Sequence, residues 1–447
     1  MIRSLLSAAI LACAVGLGPA AQASPTPHPG SYVTRQGSRL ALGGHDLRFG
    51  AANIYWLGLD ENVGGIDYPT RFRADDALRT ARDMGATVVR SHTLGISTGD
   101  PKSLEPSLDR FNDAAFASID YAVADARRLG LHLVVPLTDN WSWYHGGRGN
   151  FTTWLDLPAD AFYTDPKAIA AFERYIDHLL DHVNPLTGIR YRDDPTVMAW
   201  ELGNELNGMT QPWVDEIAGH LKKLSPRHLV AAESQFGVDP AALASPDVDI
   251  VEVHYYPPTA EKVAADAATI AGAGKVYFAG EYGSTSAEPP LMAAIAADRN
   301  VTGAASWSLF AHSDDHGYVQ HDDGFTLHYP GDDADMRRHA DAIRAFDLAM
   351  AGRPASTPVP PPGRPLISHL TRSGATVTVT WRGATTAGAS TVQRAPTRLG
   401  PWRTVCDRCA TDVTGSWSGD SRPGWYRVVP FTLAGTRGPA SPVARLS

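Results

Sequence analysis

The feature that most constrains this chain is an alternation of short apolar runs with amphipathic stretches, repeated from residue 31 to residue 352. Each run has the length of a buried strand, and the stretches between the runs carry apolar residues at helical spacing. Near-continuous apolar strands separated by helices predict a parallel sheet covered on both faces, and therefore an α/β fold. Eight such runs are present, at residues 47–55, 87–91, 131–137, 197–202, 229–233, 250–255, 275–280 and 303–308.

Capping signals support the helices between these runs. Gly130 follows an apolar face at helical spacing over residues 116–129, where a helix C-terminus is expected. Asp165-Pro166 provides an N-cap followed by proline in the first turn. Eight strand–helix units in roughly 320 residues predict a (β/α)8 barrel, the TIM barrel, over residues 31–352. An open doubly wound sheet is the alternative, but no glycine-rich phosphate loop follows the first run.

The first 23 residues predict a secretory signal peptide. Arg3 supplies the positive start, an apolar run follows over residues 5–17, and Ala21-Gln22-Ala23 forms an A-x-A cleavage signal. A membrane anchor is the alternative, but the run is short for the roughly 20 residues that a span needs. Lipoprotein processing at Cys13 would leave a very short leader. We therefore expect a secreted, extracellular protein cleaved after Ala23.

A second boundary is the proline-rich run at residues 353–365, whose composition is typical of a semi-rigid linker. Beyond it, residues 366–447 contain short alternating strands separated by Gly, Pro and Ser, which predict a small β-sandwich. Within this module, residues 424–428 followed by 435–438 resemble the last two strands of a fibronectin type III module. In an oxidising compartment, Cys406 and Cys409 are expected to form a local disulfide, because no second pair of metal ligands lies nearby.

Charge narrows the possible partners. The net charge is −9 and no basic block is present, which disfavours nucleic-acid binding. No other segment is long and apolar enough to span a bilayer, so we expect no membrane partner. We expect a monomer.

The candidate site follows from the predicted barrel, because chemistry in such barrels lies at the C-terminal ends of the strands. Polar and aromatic side chains follow the predicted strands there: Asn53, Tyr55, Trp56, Arg90, His92, Asp139, Asn140, Trp141, Asn204, Glu205, Glu233, His254, Tyr256, Glu281 and Trp307. The N-terminal ends offer no comparable set. The set includes Glu205 and Glu281, on the fourth and seventh strands.

A pair of carboxyl groups at one barrel mouth is the arrangement that cleaves a glycosidic bond. One carboxyl protonates the leaving oxygen, and the other attacks the anomeric carbon or activates water. We expect Arg90 or a tyrosine hydroxyl to hold Glu281 ionised, and a more apolar setting to keep Glu205 protonated.

These residues resemble glycoside hydrolase family 5, in the clan of retaining (β/α)8 glycosidases. Trp200-Glu201-Leu202-Gly203-Asn204-Glu205 looks like its acid/base motif, and Gly280-Glu281-Tyr282-Gly283 looks like its nucleophile motif. Arg90, His254 with Tyr256, and Trp307 match further family positions. The resemblance covers roughly residues 45 to 345 and implies Glu205 as acid/base and Glu281 as nucleophile.

The resemblance also implies substrate-binding roles. Asn204 would contact the sugar 2-hydroxyl, His254 and Tyr256 would position the carboxylates, and Trp307 would form the floor of the site. Trp56, Trp141, Trp143 and Trp154 are candidates for stacking on neighbouring sugars, and Asn140 is a further candidate contact. No cofactor or metal is expected, since the acidic and imidazole side chains at residues 312–316 and 321–323 lack a recognised ligand spacing.

Mannanase-like members are the nearest match within the family. Asn53, Tyr55 and Trp56 on the first strand, Asp139-Asn140-Trp141 on the third and Asp323-Gly324-Phe325 after the last support it. The sequence departs from typical mannanases at Leu206-Asn207, where they carry proline and a basic residue. Because the other positions match mannanase-like members, we expect the chain to cleave a β-1,4-linked polysaccharide. The first hypothesis is an endo-acting mannanase. A β-glucanase or cellulase, an exo-acting β-glycosidase and a non-catalytic carbohydrate-binding protein are the alternatives.

Overall fold

The fold is that of a computed structural model, which describes residues 30–235, 237–420 and 422–446. The predicted signal peptide lies outside the described residues. The described part begins with a small antiparallel sheet of β1 (Val33–Gln36), β2 (Arg39–Leu42) and β3 (His45–Leu47). Leu40 and Leu42 of this sheet pack against the first residues of the barrel strands and close the N-terminal end of the barrel.

This first sheet was not predicted from the sequence. Its two hairpin turns place Gly37, Gly43 and Gly44 at φ values of 64°, 59° and 83°. Glycine adopts this left-handed region without a steric penalty, so tight turns of this kind favour it. The Gly-Gly pair was therefore a readable signal of a hairpin before the barrel.

The centre of the molecule is a closed barrel of eight parallel strands in sequential order, as predicted. The strands are β4 (Phe49–Asn53), β5 (Val88–Arg90), β6 (His132–Pro136), β7 (Val197–Glu201), β8 (Leu229–Ser234), β9 (Ile250–Tyr255), β10 (Val276–Gly283) and β11 (Val301–Trp307). The barrel closes where β11 pairs with β4. Because β10 continues past the predicted end at residue 280, Glu281 lies within the strand and not after it.

Helices surround the barrel on the outside. They are α1 (Arg71–Met84), α2 (Phe116–Leu129), α3 (Arg148–Trp154), α4 (Pro166–Asp181), α5 (Gln211–Leu224), α6 (Pro240–Ala244), α7 (Ala260–Gly272), α8 (Pro289–Ala297) and α9 (Ala334–Met350). The predicted caps are present, since Asp165 accepts the Lys167 backbone N–H at 2.8 Å and Gly130 ends α2 at φ 72°. Among the described residues, no helix combines the length and apolar character needed to cross a membrane.

The C-terminal module consists of two antiparallel sheets. Their strands are β12 (Leu366–Ser373), β13 (Thr376–Arg382), β14 (Ala389–Ala395), β15 (Arg403–Ala410), β16 (Ser416–Asp420), β17 (Gly424–Phe431) and β18 (Ala444–Leu446). One sheet has the order β12-β13-β16 and the other β15-β14-β17-β18. Val379, Trp381 and Val428 are buried between the sheets. A disulfide joins Cys406 and Cys409 within β15.

The module packs against the barrel and not only against the linker. Arg382 of β13 lies 3.7 Å from the centre of the Phe72 ring on α1. Buried His312, in the loop after β11, lies 2.8 Å from Asp76 of α1 and 3.3 Å from Asp412 of the module. We refer to Asp76, His312 and Asp412 as the junction triad.

Candidate active site

The barrel mouth contains a cavity of about 440 Å³ at the C-terminal ends of the strands. Its walls carry both predicted catalytic carboxyl groups together with aromatic and imidazole side chains. The lining residues are Tyr55, Glu61, His92, Trp141, Trp143, Tyr144, His145, Asn204, Glu205, Tyr256, Glu281, Trp307, His321, Asp322, Asp323 and Phe325.

Glu281 is held by two donors on opposite sides of its carboxyl group. Arg90 Nη1 donates to Oε1 at 2.7 Å, and the Tyr256 hydroxyl donates to Oε2 at 2.7 Å. Burial, followed by the charge of Glu281, raises the pKa of Tyr256 well above its ordinary value, so this hydroxyl keeps its proton. Two fixed donors stabilise negative charge on Glu281, and they are the arginine and the tyrosine hydroxyl that the sequence led us to expect beside this carboxyl.

Glu205 lies in the loop after β7 and also has polar partners. The Trp141 indole N–H donates to Oε2 at 2.6 Å, and His254 Nδ1 lies 3.0 Å from Oε1. The apolar surroundings expected from the sequence are therefore not found around this carboxyl. His254 Nδ1 is also 3.4 Å from Glu281 Oε2, so the imidazole stands between the two carboxyl groups. An oxygen of Glu205 and one of Glu281 lie within 4.8 Å of each other.

Asn204 has its side-chain orientation fixed by two neighbours. Arg90 Nη2 donates to its Oδ1 at 2.9 Å, and its Nδ2 donates to Asp139 Oδ1 at 3.2 Å. Because arginine only donates and a carboxylate only accepts, the two contacts define which amide atom is which. Among the described residues, Asp139 is the one acceptor of the amide N–H groups, and Asn204 lines the cavity.

Arg90 is the central cation of the site and is fully buried. It binds Glu201 through two nitrogens, at 2.9 and 2.8 Å. Burial lowers the pKa of Arg90, but Glu201, Glu281 and Glu252 together raise it well above its ordinary value. His92 Nε2 lies 2.8 Å from Arg90 Nη1, so this nitrogen accepts, and burial keeps the pKa of His92 well below its ordinary value.

Comparison with known proteins identifies the family of the chain. A family model described as GH family 5 beta-mannosidase-like matches residues 30–257, half of the chain. The chain belongs to this family. The match includes Arg90, Asn204, Glu205 and His254 but ends before Glu281.

Named relatives are mannan-degrading enzymes by their printed names. Mannan endo-1,4-beta-mannosidase 1 of Oryza sativa is 30% identical over 287 residues, which is 56% of this chain and 64% of the relative. Mannan endo-1,4-beta-mannosidase 2 of Arabidopsis thaliana is 31% identical over 263 residues, 51% of this chain and 59% of the relative. The chain thus spans less than two thirds of the length of each.

A solved structure shares the fold. The endo-1,4-beta-mannanase of Rhizomucor miehei superposes with a TM-score of 0.62 at 23% identity, covering 72% of this chain and all of that chain. The likeness confirms the (β/α)8 barrel.

The structure of this family 5 member places most of the predicted site residues together. Glu205, Glu281, Asn204, Tyr256, Trp141 and Trp307 line the cavity, while Arg90 and His254 support it from below. Trp307 stacks on Tyr55 with ring centres 5.2 Å apart and donates its indole N–H to Asp323 at 2.6 Å.

Three predicted aromatic or polar candidates lie elsewhere. Trp56 is buried against Phe310 and does not reach the cavity. Asn140 accepts a hydrogen bond from Arg148 Nε at 3.0 Å, and Trp154 packs against Phe151. Neither side chain lines the cavity; Asn140 lies in the loop after β6, and Trp154 is the last residue of α3.

The structure brings further residues to the site, among them His145 and Asp139, to which no role was assigned from the sequence. His145 lines the cavity, and its Nε2 lies 3.0 Å from Asp139 Oδ2. Asp139 was visible as the polar residue after the third strand. His145, inside a loop, carried no comparable positional signal.

Two groups of side chains within the described residues have metal-ligand types close together. One is His92, Asp139 and His145, and the other is Glu205, His254 and Glu281. Arg90 lies within hydrogen-bond distance of both groups, at His92 and Glu281, and its positive charge opposes a cation there. The histidines of residues 312–316 and 321–323 have separate partners. His312 belongs to the junction triad, and His321 Nδ1 lies 2.9 Å from Asn62 Oδ1.

Proposed function

We propose that this chain is a secreted retaining glycoside hydrolase that cleaves β-1,4-mannan internally. The observation that carries the proposal is the pair of carboxyl groups, whose nearest oxygens lie within 4.8 Å across the His254 imidazole. Retaining glycosidases hold their two carboxyl groups about 5–5.5 Å apart, whereas inverting ones leave room for a water molecule. The printed names of the relatives support mannan as the substrate.

The proposed reaction is a double displacement. Glu205 gives its proton to the glycosidic oxygen while a Glu281 oxygen bonds to the anomeric carbon, and the bond to the leaving sugar breaks. Glu205 then takes a proton from water, whose oxygen bonds to the anomeric carbon and releases Glu281. Arg90 and Tyr256 stabilise the charge of Glu281 before attack and when it leaves.

Substrate contacts are proposed on the same geometry. The amide N–H of Asn204 would bind the sugar 2-hydroxyl, and the stacked Trp307 would form the floor under the reacting sugar. Trp141 and the 60% exposed Trp143 stand at the rim, where further sugar rings would stack. We further propose a cleaved signal peptide, a monomer, and a fibronectin type III-like β-sandwich fold for the two-sheet module.

Product analysis tests the function. The protein is incubated with β-mannans, β-glucans and aryl β-glycosides, and the products are followed by chromatography and by NMR of the anomeric proton. We expect mixed mannan oligosaccharides that are first released in the β configuration. A first product in the α configuration, or no cleavage of any glycan, contradicts the proposal.

A variant tests the nucleophile. Glu281→Gln should abolish turnover and leave the circular dichroism spectrum unchanged. Glu288→Gln, which alters an exposed carboxyl, is the matched control and should keep full activity. Unchanged activity in the Glu281 variant contradicts the assignment and favours a different chemistry.

An exo-acting β-mannosidase is the second candidate, because the matching family model is described as beta-mannosidase-like. Release of mannose alone from mannohexaose would establish this activity in place of internal cleavage.

A further inference from the structure

Glu205 has an unusual backbone conformation. Its φ is +52°, in the left-handed region that side chains other than glycine and asparagine rarely adopt. Such a conformation persists only where the surroundings hold it in place. Glu233 of β8 is fully buried beneath the site, and its Oε1 accepts the backbone N–H of Glu205.

The second oxygen of Glu233 points toward the other partner of Glu205. Oε2 lies 3.6 Å from His254 Nε2, and neither atom has a hydrogen-bond partner among the described residues. The opposite nitrogen of the same imidazole, Nδ1, faces the Glu205 carboxyl at 3.0 Å. Glu233 therefore contacts Glu205 through the backbone N–H, and its second oxygen faces the far side of the imidazole whose Nδ1 lies beside the Glu205 carboxyl, at a distance longer than a hydrogen bond.

The charges around Glu233 favour its neutral form. Arg90 is shared among Glu281 at 2.7 Å, Glu201 at 2.8 Å, Glu252 at 3.5 Å and Glu233 at 3.9 Å. Burial raises the pKa of Glu233 well above its ordinary value, the charges of Glu201 and Glu205 act in the same direction, and Arg90 opposes them. Glu252, its register neighbour on β9, also has its pKa raised by burial.

A neutral carboxyl can accept and donate at once. Glu233 Oε1 accepts from the Glu205 N–H, while an Oε2 hydroxyl would donate to His254 Nε2. A donor at Nε2 places the imidazole proton on Nδ1, from which it can be donated to Glu205.

We propose that Glu233 is a positioning residue for the acid/base, holding the backbone of Glu205 directly and its carboxyl group through His254. The inference rests on the proposed function, in which Glu205 gives and recovers the proton. Loss of Glu233 would release Glu205 from its left-handed conformation and leave the tautomer of His254 undefined. Steps that need proton transfer would then slow, whereas attack by Glu281 would not.

Two substrates with the same sugar separate these steps. An alkyl β-mannotrioside, which offers the three sugar rings that an endo-acting enzyme can bind, needs a proton on its leaving group, but a 2,4-dinitrophenyl β-mannotrioside does not. For Glu233→Ala we expect turnover of the alkyl glycoside to fall on the order of 100-fold. The burst of dinitrophenolate, which reports attack by Glu281, should remain fast. The later step, release of the sugar from Glu281, needs Glu205 to take a proton from water; azide, a nucleophile that needs no such help, should restore its rate. If Glu233→Ala changes the rates of both substrates by the same factor, Glu205 is held correctly without Glu233. That result overturns the proposal.

Conservative replacement supplies the second readout. In Glu233→Gln the amide oxygen accepts the Glu205 N–H and the amide N–H donates to His254, with no change in charge. We expect turnover within about threefold of the parent and an unshifted alkaline limb of the pH profile. A Gln variant as impaired as the Ala variant, with its alkaline limb moved to lower pH, would show that Glu233 acts as an anion and overturn the proposal.

Glu105 provides the matched control. It is buried and accepts the backbone N–H of Asp109, whose φ is +57°, at 2.7 Å, and it does not line the cavity. Glu105→Ala should lower thermal stability without changing the ratio of the two substrate rates. Glu233→Met, which fills the same volume without polar atoms, replaces the Ala variant if that variant does not fold. If the parent cleaves neither glycoside, the proposed function fails; if the parent cleaves both and the Ala or Met variant keeps the parent's ratio, only the role of Glu233 fails.

Discussion

The hydroxyl of Tyr256 donates to Glu281 Oε2 at 2.7 Å, on the side of the carboxyl away from Arg90. The Tyr256→Phe variant keeps the ring and removes this donor. A hydrogen bond to a charged group contributes about 1.5–3 kcal/mol, so we expect kcat/KM to fall roughly 10- to 100-fold. Steady-state kinetics on β-mannan measures the loss. Tyr68→Phe, whose hydroxyl donates to the Lys102 carbonyl, is the control, and an equal loss there would argue against a specific effect.

Trp141 combines two possible contributions, a stacking surface and a donor to Glu205. Trp141→Phe keeps an aromatic face and removes the indole N–H that lies 2.6 Å from Glu205 Oε2. We expect kcat to fall about tenfold with little change in KM, since a hydrogen bond to a carboxyl is lost and stacking is retained. Trp154→Phe should leave kcat unchanged, because Trp154 packs against Phe151. A change in KM alone for the Trp141 variant would mean that Trp141 only stacks.

Asn204 is predicted to act through the sugar 2-hydroxyl. Asn204→Ala should lower kcat/KM on the normal glycoside by roughly 100-fold, because a buried hydroxyl would lose its partner. On the 2-deoxy glycoside the variant and the parent should be nearly equal, because the contact is already missing. If the losses from the Asn204 variant and from the 2-deoxy substrate simply add, Asn204 does not act through the sugar 2-hydroxyl.

The junction triad predicts a pH dependence of stability. Burial lowers the pKa of His312, but Asp76 and Asp412 raise it to about 10, above the ordinary 6.5. Since the folded pKa is raised, the stabilisation is fully present below about pH 6.5 and is lost as the pH rises through about 10. Chemical denaturation at pH values across this window should show the free energy of unfolding falling toward alkaline pH.

Replacement of His312 tests the triad directly. His312→Gln leaves Asp76 and Asp412 buried without their cation, so we expect a loss of roughly 3–5 kcal/mol and a flatter pH profile. The control is His316→Gln, a half-exposed histidine beside Asp315, which should change stability little. A steep alkaline decline that persists without His312 would assign it to other groups.

The barrel and its carboxylate pair could be predicted because strand ends can be read from apolar periodicity. The prediction was weaker just past each strand end. Trp56 and Asn140 follow strands but turn away from the cavity, because the alternation of a strand does not continue into a loop. The support that His145 and Glu233 give to the site was not recognised, because it depends on contacts across the barrel that no local pattern records.

The loop after β11 is shared between the two parts of the molecule. Its His321, Asp322 and Asp323 line the cavity, while His312 of the same loop is clamped between α1 and the C-terminal module. The middle of the proline-rich run is itself attached to both parts, since Arg344 of α9 donates to the Thr357 carbonyl and Thr386 of the module donates to the Pro360 carbonyl. A barrel shortened at residue 353 would therefore lose the module's contact with the loop after β11, and this loop forms part of the cavity wall. Catalysis and heat resistance would then decline together.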